Sequence, residues 1–411
     1  MNAITDLRGR VRDGAREAAR PPGLLAASGL ALRLAWRQLW SEKARLASAI
    51  AGVMFACVLV FMQLGFRAAP FESATTLIGA MRADLFLMNP MTLASFRPEP
   101  MARVRVSQAL GVEAVQAAVP VYLAQSSFRN PETGRRRTIQ LVGFDVEAGV
   151  LDLPGLAPLR DALKQPDSFA FDSRSRPEFG PVTQMFQERG AYPVQIGNRE
   201  MRVVGTIEMG TSFGADGNAV LPEVNFQRVV REQPAVMVDL AAIRLKPGAD
   251  LLQAQAALRA VLPPDVAVLT QAQLRAHERR YWEEGTPIGF IFTFGSLMGL
   301  IVGMVIVYQI LFSDIAGHLK EYATLKAMGY SNGHLSRVVL GAAVVLAFLG
   351  FVPGVVASAV LYGVVADATF LPLHMTGGRA LAVFGMIFAM CAAAGLLAMR
   401  KLRDANPADM F

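Results

Sequence analysis

Ile288-Gly289-Phe290-Ile291-Phe292-Thr293-Phe294-Gly295-Ser296-Leu297-Met298-Gly299-Leu300-Ile301-Val302-Gly303-Met304-Val305-Ile306-Val307-Tyr308-Gln309-Ile310-Leu311-Phe312 contains no Asp, Glu, Lys or Arg. At a rise of about 1.5 Å per residue, a stretch of roughly 25 residues crosses the hydrocarbon layer of a bilayer with some tilt. It reads as a transmembrane helix. Directly after it, Ser313-Asp314-Ile315-Ala316-Gly317-His318-Leu319-Lys320-Glu321-Tyr322-Ala323-Thr324-Leu325-Lys326-Ala327-Met328-Gly329-Tyr330 places Ile315, Leu319, Tyr322, Leu325 and Met328 at helical spacing, with charges on the other face. This predicts a short amphipathic helix. Gly329 is placed to end it, and Ser331 or Asn332 to cap the helix that follows. A membrane rod ending in a compact amphipathic helix suits handing motion to something outside the membrane.

Working outward, the chain of 411 residues is 53% hydrophobic, and its apolar residues are bunched rather than periodic. That is the composition of a membrane protein. The net charge of +7 comes from the N-terminal end: residues 1–45 hold nine Lys/Arg against four Asp/Glu, whereas residues 67–287 hold 24 of each. A basic segment before a membrane span follows the positive-inside rule, so the charge does not call for a nucleic-acid partner. Cys57 and Cys391 both fall in apolar runs and make neither a disulfide framework nor a metal site. The four histidines, His277, His318, His334 and His374, are too scattered in sequence to suggest a metal cluster.

Three more apolar runs complete the plan. Residues 1–29 are polar, Arg-rich and broken by Pro21-Pro22-Gly23, as in a mobile cytoplasmic tail. Arg33 and Arg37 interrupt the weakly apolar residues 23–32, which is not the pattern of a cleaved signal peptide. Residues 30–45 set Leu34, Trp36 and Trp40 among Arg33, Arg37 and Lys43, as in a basic amphipathic helix at the membrane interface, or as the wetted first turns of the next helix. Residues 46–66 are the first span, 288–312 the second, 338–365 the third with Pro353 inside it, and 380–399 the fourth. Arg400, Lys401 and Arg403 follow the last span, whereas 366–378 holds no Lys or Arg. Both termini and the 313–337 loop are therefore expected inside, and 67–287 and the short 366–379 loop outside.

Residues 67–287 form one long insertion with charges at globular frequency. Strand-like runs at 83–88, 115–123, 138–144, 201–208, 219–221 and 238–245 alternate with helical patterns at 100–110 and 251–261. This predicts an α+β domain. Asn130-Pro131-Glu132-Thr133-Gly134, Gly197-Asn198 and Lys246-Pro247-Gly248 mark turns. The less regular, Pro-containing stretch 151–181 suggests two lobes, the second inserted into the first. The charged residues 275–284 make a collar before the second span.

A large external domain between the first and second of four spans resembles the FtsX/MacB-like permease superfamily of ABC transporters. Leu34-Ala35-Trp36-Arg37-Gln38-Leu39, Glu42-Lys43, Arg45, Phe61-Met62-Gln63-Leu64-Gly65-Phe66-Arg67 and Phe71-Glu72-Ser73-Ala74 resemble its DevC-type branch of export permeases. His318 to Tyr330 is similar to the superfamily's coupling segment, and Asn406-Pro407-Ala408-Asp409-Met410-Phe411 to its usual ending. The Arg-rich tail through Gly29 departs from the pattern. The resemblance implies a bacterial inner-membrane permease that works with a separate ABC ATPase dimer, a second copy of itself, a periplasmic adaptor (membrane-fusion protein) and a TolC-like outer-membrane channel. The coupling residues it implies are Asp314, Leu319, Lys320, Glu321, Tyr322, Leu325, Lys326, Met328 and Gly329. Glu321 would be the polar contact, Leu319, Tyr322, Leu325 and Met328 the apolar face, and Gly329 the stop.

The chemistry of the sequence agrees with ATP hydrolysis in trans. A phosphate-cradling loop needs Gly-Lys before Ser or Thr, and no Gly-Lys dipeptide occurs. ATP and Mg2+ are thus expected in the partner, and no cofactor, metal or catalytic residue in this chain. None of the spans carries the charged residue that marks a solute pathway. Gly295, Gly299 and Gly303 repeat at small-xxx-small spacing, which suits either a homodimer contact or packing against another span of the same chain. Gly210-Thr211-Ser212-Phe213-Gly214 matches a nucleophile elbow, but Ala215-Asp216-Gly217-Asn218 continues as a turn, so a hairpin tip is expected. Glu283-Glu284 beside Arg279-Arg280 reads as a solvated ion-pair face.

The sequence thus predicts the permease subunit of an ABC exporter for a lipid, glycolipid or other hydrophobic compound. Three alternatives share the four-span plan: a transmembrane regulator of a cell-wall hydrolase, a lipoprotein-release permease, and a receptor or anchor with no ATPase.

Overall fold

The structure, a computed structural model, describes residues 43–212, 214–230, 236–317, 324 and 332–403. The expected tail, residues 30–42 of the expected interfacial helix, and residues 404–411 lie outside the described residues. The chain runs α1 (Lys43–Ala74), α2 (Thr76–Ala80), β1 (Leu85–Met88), β2 (Met101–Ala102), α3 (Val104–Ala109), β3 (Val115–Arg129) and β4 (Arg136–Phe144). It continues through α4 (Arg160–Leu163), β5 (Ser168–Asp172), α5 (Val182–Arg189), β6 (Tyr192–Ile196), β7 (Arg199–Ile207), β8 (Asn218–Pro222) and α6 (Glu223–Val229). Then follow β9 (Met237–Val238), β10 (Leu240–Leu245), α7 (Leu251–Val261), β11 (Ala267–Thr270), α8 (Gln271–Glu284), α9 (Pro287–Gly317), α10 (Asn332–Thr369) and α11 (Gly377–Arg403). Two compact units result: Met1–Gln63 with Gly295–Val360 and Met375–Phe411, and Leu64–Phe294 with Leu361–His374.

Among the described residues, four helices are long and apolar enough to cross a membrane: Leu46–Ala74, Gly289–Ile310, Val339–Thr369 and Gly377–Leu397. In lipid every backbone N–H and C=O must be paired within the segment, which a helix achieves by itself. α1 continues past the expected end of its span to Ala74, through Pro70. Its 32 residues reach about 48 Å, more than the roughly 30 Å hydrocarbon layer requires. Within the helical unit, small residues let helices approach closely. A Cβ on Gly350 of α10 would stand 2.5 Å from Val53 of α1, and one on Gly354 2.8 Å from Cys57. Cys57 and Cys391 are both buried and free, as packing residues rather than ligands. Phe384 of α11 meets Phe348 and Phe351 of α10 edge-on, with ring centres 5.3 and 5.1 Å apart.

The second unit is built on one mixed nine-stranded sheet in the order β11-β1-β10-β3-β4-β8-β5-β7-β6. Side chains alternate between its faces, as the two-residue period of a strand requires. Leu85 and Leu87 of β1 enter one apolar core together with Tyr122, Leu141 and Phe226, whereas Phe86 and Met88 enter the other with Val121, Val142 and Phe144. β3 is 15 residues long and pairs with β10 over its first half and with β4 over its second. At its far end Phe128 also pairs with Ile196 of β6. That contact closes β3, β4, β8, β5, β7 and β6 on themselves, around Phe128, Phe171 and Phe179, whose ring centres lie 5.4–5.9 Å apart. The two lobes expected from the sequence therefore share one sheet: β11, β1 and β10 form its open part, and the inserted residues supply β5, β6 and β7 of its closed part.

Several local expectations are refined. The helical pattern at 100–110 is a two-residue strand, β2, followed by the short α3, and the run at 238–245 divides into β9 and β10. Gly134 and Gly197, at φ +69° and +59°, make the turns between β3 and β4 and between β6 and β7, where a left-handed residue is needed. α8 opens with a capping box of Thr270 and Gln273 and ends at Gly285, and Pro287 starts α9.

Candidate functional site

The expected coupling segment begins on α9. Asp314 lies on the last turns of this helix, which ends at Gly317, and the chain resumes at Asn332 in α10. Leu319, Lys320, Glu321, Tyr322, Leu325, Lys326, Met328 and Gly329 lie outside the described residues. What is described is the frame: two long apolar helices joined across residues 318–331.

The three glycines on α9 face α1 of the same chain. A Cβ on Gly295 would stand 2.7 Å from Gln63 Oε1, and one on Gly303 2.8 Å from Ala56 Cβ and 3.1 Å from Met390 Sδ of α11. Gly299 is looser, with Gln63 and Leu59 3.9 Å away. Of the two uses open to this face, the close approach here is within the chain. The opposite face of α9 carries the exposed Phe290, Phe294, Leu297, Ile301 and Val305.

Two buried carboxylates of the sheet-bearing unit tie loops to its helices and strands. The first is on α8, where the sequence showed only a charged collar. Glu278 is 1% exposed; its Oε2 accepts the Ser95 backbone N–H at 2.8 Å and its Oε1 the Trp282 indole N–H at 3.2 Å. Burial pushes the Glu278 carboxyl above its ordinary range, and these hydrogen bonds only partly offset that. The preceding residue, His277, meets the Thr92 carbonyl through Nε2 at 2.8 Å, and Phe96 packs on Tyr281 and Trp282. Residues 92–96 are thus strapped along α8. Glu283 pairs with Arg67 at 3.8 Å, both partly exposed.

The second is Asp172, at the end of β5 and fully buried. Its Oδ1 accepts the backbone N–H of Arg174 and Met209, and its Oδ2 that of Gly210 and the Asn218 side-chain amide, at 2.8–3.1 Å. Four donors on one carboxylate fix both ends of the loop between β7 and β8. This loop is the Gly-x-Ser-x-Gly stretch. Ser212 Oγ accepts from the Gly214 and Ala215 N–H groups, and the chain leaves into strand β8, so Ser212 closes a turn rather than topping an elbow. The neighbouring Thr211 hydroxyl donates to the Phe370 carbonyl at 2.7 Å, in the connection between α10 and α11. Phe370 has φ +59°, a left-handed conformation that glycine usually takes at a helix end. Neither Glu278 nor Asp172 was singled out from the sequence, because burial of a lone carboxylate leaves no periodic signal; the Thr270 capping box that starts α8 is the one local cue.

Four apolar helices with a large α+β domain inserted after the first define a multi-span membrane protein with one large extracytoplasmic domain. Residues 46–261 match the MacB-like periplasmic core domain, and residues 293–407 match the FtsX-like permease C-terminal family. The chain belongs to this MacB-like, FtsX-like family of ABC transporter permeases. Solved structures similar to it include the periplasmic region of MacB from Actinobacillus actinomycetemcomitans, at 11% identity, covering 48% of this chain and 93% of that one with a TM-score of 0.35. The extracellular domain of the noncanonic ABC-type transporter YknZ from Gram-positive bacteria is 13% identical, covering 46% of this chain and 99% of that one with a TM-score of 0.32. At such scores the likeness adds nothing to the family match. No curated protein matches the chain.

Proposed function

We propose that the chain is the membrane subunit of an export system, relaying the motion of a separate ATPase dimer to its external domain. The observation that carries this reading is the pairing of the two family matches with a sequence that has no phosphate-binding loop. The relay runs from residues 314–329, with Glu321 a polar contact and Leu319, Tyr322, Leu325 and Met328 the docking face, into α9. From α9 it passes through Pro287 and Gly285 to α8 and the sheet. Uncharged spans suit helices that transmit force rather than line a solute path.

The reading extends to the DevC-type branch, with two copies of the chain in the bacterial inner membrane and both termini cytoplasmic. An adaptor and a TolC-like channel would carry a lipid, glycolipid or other hydrophobic compound outward. The test is co-purification with the ATPase encoded nearest to the chain's gene, comparing wild type with Glu321→Ala and Leu325→Asp. A complex whose ATPase activity is uncoupled, or which dissociates, in either variant upholds the reading. If no ATPase binds the wild type, mechanical coupling is overturned and a receptor or anchor takes its place.

A further inference from the structure

A cavity of about 40 Å3 lies inside the sheet-bearing unit, bounded by the end of α1, residues 95–96, α8, β4 and the β7–β8 loop. Among the described residues its lining includes no Lys, Arg or His, and Glu278 is its one ionisable side chain. Most of its polar groups are already engaged: Ser73 Oγ donates to the Pro70 carbonyl, and the Asn218 amide to Asp172 and the Gly210 carbonyl. Gln140 is the exception. It is 5% exposed, its Oε1 has no hydrogen-bond partner, and its Nε2 reaches only the Leu141 carbonyl at 3.5 Å. A buried acceptor without a donor calls for a group that is absent from the protein itself.

Two features say which group. The Glu278 carboxyl accepts the Ser95 and Trp282 N–H groups, and its two oxygens have capacity for a further donor. The carboxyl also has no cation in the cavity wall to balance it. The missing occupant is therefore a donor with positive charge, small enough for a space of a few water volumes. Phe96 and Trp282 add aromatic rings, which attract cations. A water molecule would satisfy Gln140 and leave the buried carboxyl in the neutral form that burial favours, whereas a primary ammonium supplies N–H donors and a counter-charge together; a quaternary ammonium has the charge but no N–H.

We propose that this cavity binds a primary ammonium group, held by Gln140 Oε1 and the Glu278 carboxylate. A free amine and the headgroup of an aminophospholipid share this chemistry. The site goes beyond the permease reading and does not depend on ATPase coupling. An occupant would touch the end of the apolar helix α1, α8, which leads into the apolar helix α9, and the β7–β8 loop that Asp172 fixes.

The test uses the full chain in phosphatidylcholine nanodiscs with Trp36→Phe and Trp40→Phe, so that Trp282 alone reports. Ethanolamine is titrated and choline serves as control. The expected result is a saturable change in Trp282 emission with ethanolamine, and at least tenfold weaker binding of choline. Gln140→Leu and Glu278→Gln are each expected to weaken ethanolamine at least tenfold, and Gln140→Glu, of the same size, to strengthen it. Should the first two fail to fold, Gln140→Glu decides: weaker or unchanged binding overturns the site. If nanodiscs containing phosphatidylethanolamine show the shift beforehand and compete with added ethanolamine, the source is the lipid; if only the free amine acts, the source is a solute. No saturable change in either membrane, or an equal response to choline, overturns the proposal.

Discussion

The Thr211 hydroxyl donates to the Phe370 carbonyl at 2.7 Å, tying the β7–β8 loop to the connection between α10 and α11. Thr211→Val keeps the shape and removes the donor. Its expected cost is about 1 kcal/mol, with faster amide exchange at residues 210–215 and at the 370–374 connection, read by hydrogen-exchange mass spectrometry.

Asp172 is the anchor of that loop. Asp172→Ala takes an acceptor from three part-buried backbone N–H groups and from the Asn218 amide, which keeps only the Gly210 carbonyl, so a loss of roughly 3 kcal/mol is expected, each unmet donor costing about 1–3 kcal/mol when buried. Asp172→Asn, which keeps one acceptor oxygen, is expected to lose less. Denaturant unfolding of the detergent-solubilised chain measures the order of the two.

Glu278 makes stability depend on pH. Its carboxyl is raised in the folded state, so between the unfolded carboxylate value and the folded one the native state holds more protons than the unfolded state. The stability it contributes is present at low pH and is lost as pH rises through that window. Glu278→Gln removes this slope: in amine-free buffer and phosphatidylcholine, the variant is expected to gain on wild type from about pH 4 upward. A parallel pair of thermal-unfolding profiles from pH 4 to 8 would contradict this.

The helical unit offers a matched pair of glycines. A Cβ at Gly303 meets Ala56 and Met390 at 2.8 and 3.1 Å, whereas one at Gly385 meets nothing within 4 Å. Gly303→Val is expected to cost about 1–3 kcal/mol by overpacking, and Gly385→Ala to be neutral or slightly stabilising, as alanine favours helix by up to about 1 kcal/mol. Thermal unfolding in one nanodisc composition compares them.

The four apolar helices and the inserted α+β domain were legible because both signals are local. An uncharged run such as 288–312 needs no partner to be recognised, and the alternation at 138–144 marks a strand wherever it pairs. What was not legible is long-range. β5, Ser168–Asp172, is buried at every position and sits in a Pro-containing stretch, so neither alternation nor flanking strands revealed it. The closure of the sheet rests on a single pairing, Phe128 with Ile196, between residues far apart in sequence. Glu278 read as one more charge in a collar, since only the arrival of Ser95 and Trp282 makes it a buried acceptor. Conversely, the Gly295, Gly299 and Gly303 spacing announced a close approach but could not say which helix fills it.

The central claim is that nucleotide-driven motion reaches the external domain through residues 314–329. The direct measurement is the distance between spin labels at Arg136→Cys, at the start of β4, and Thr376→Cys, before α11, in the chain reconstituted with its ATPase. Cys57 and Cys391 are buried and would label poorly. The expected result is a distance distribution that shifts on adding ATP and Mg2+ in wild type and stays fixed in Leu325→Asp. An unchanged distribution in wild type, or an equal shift in Leu325→Asp, would contradict the claim.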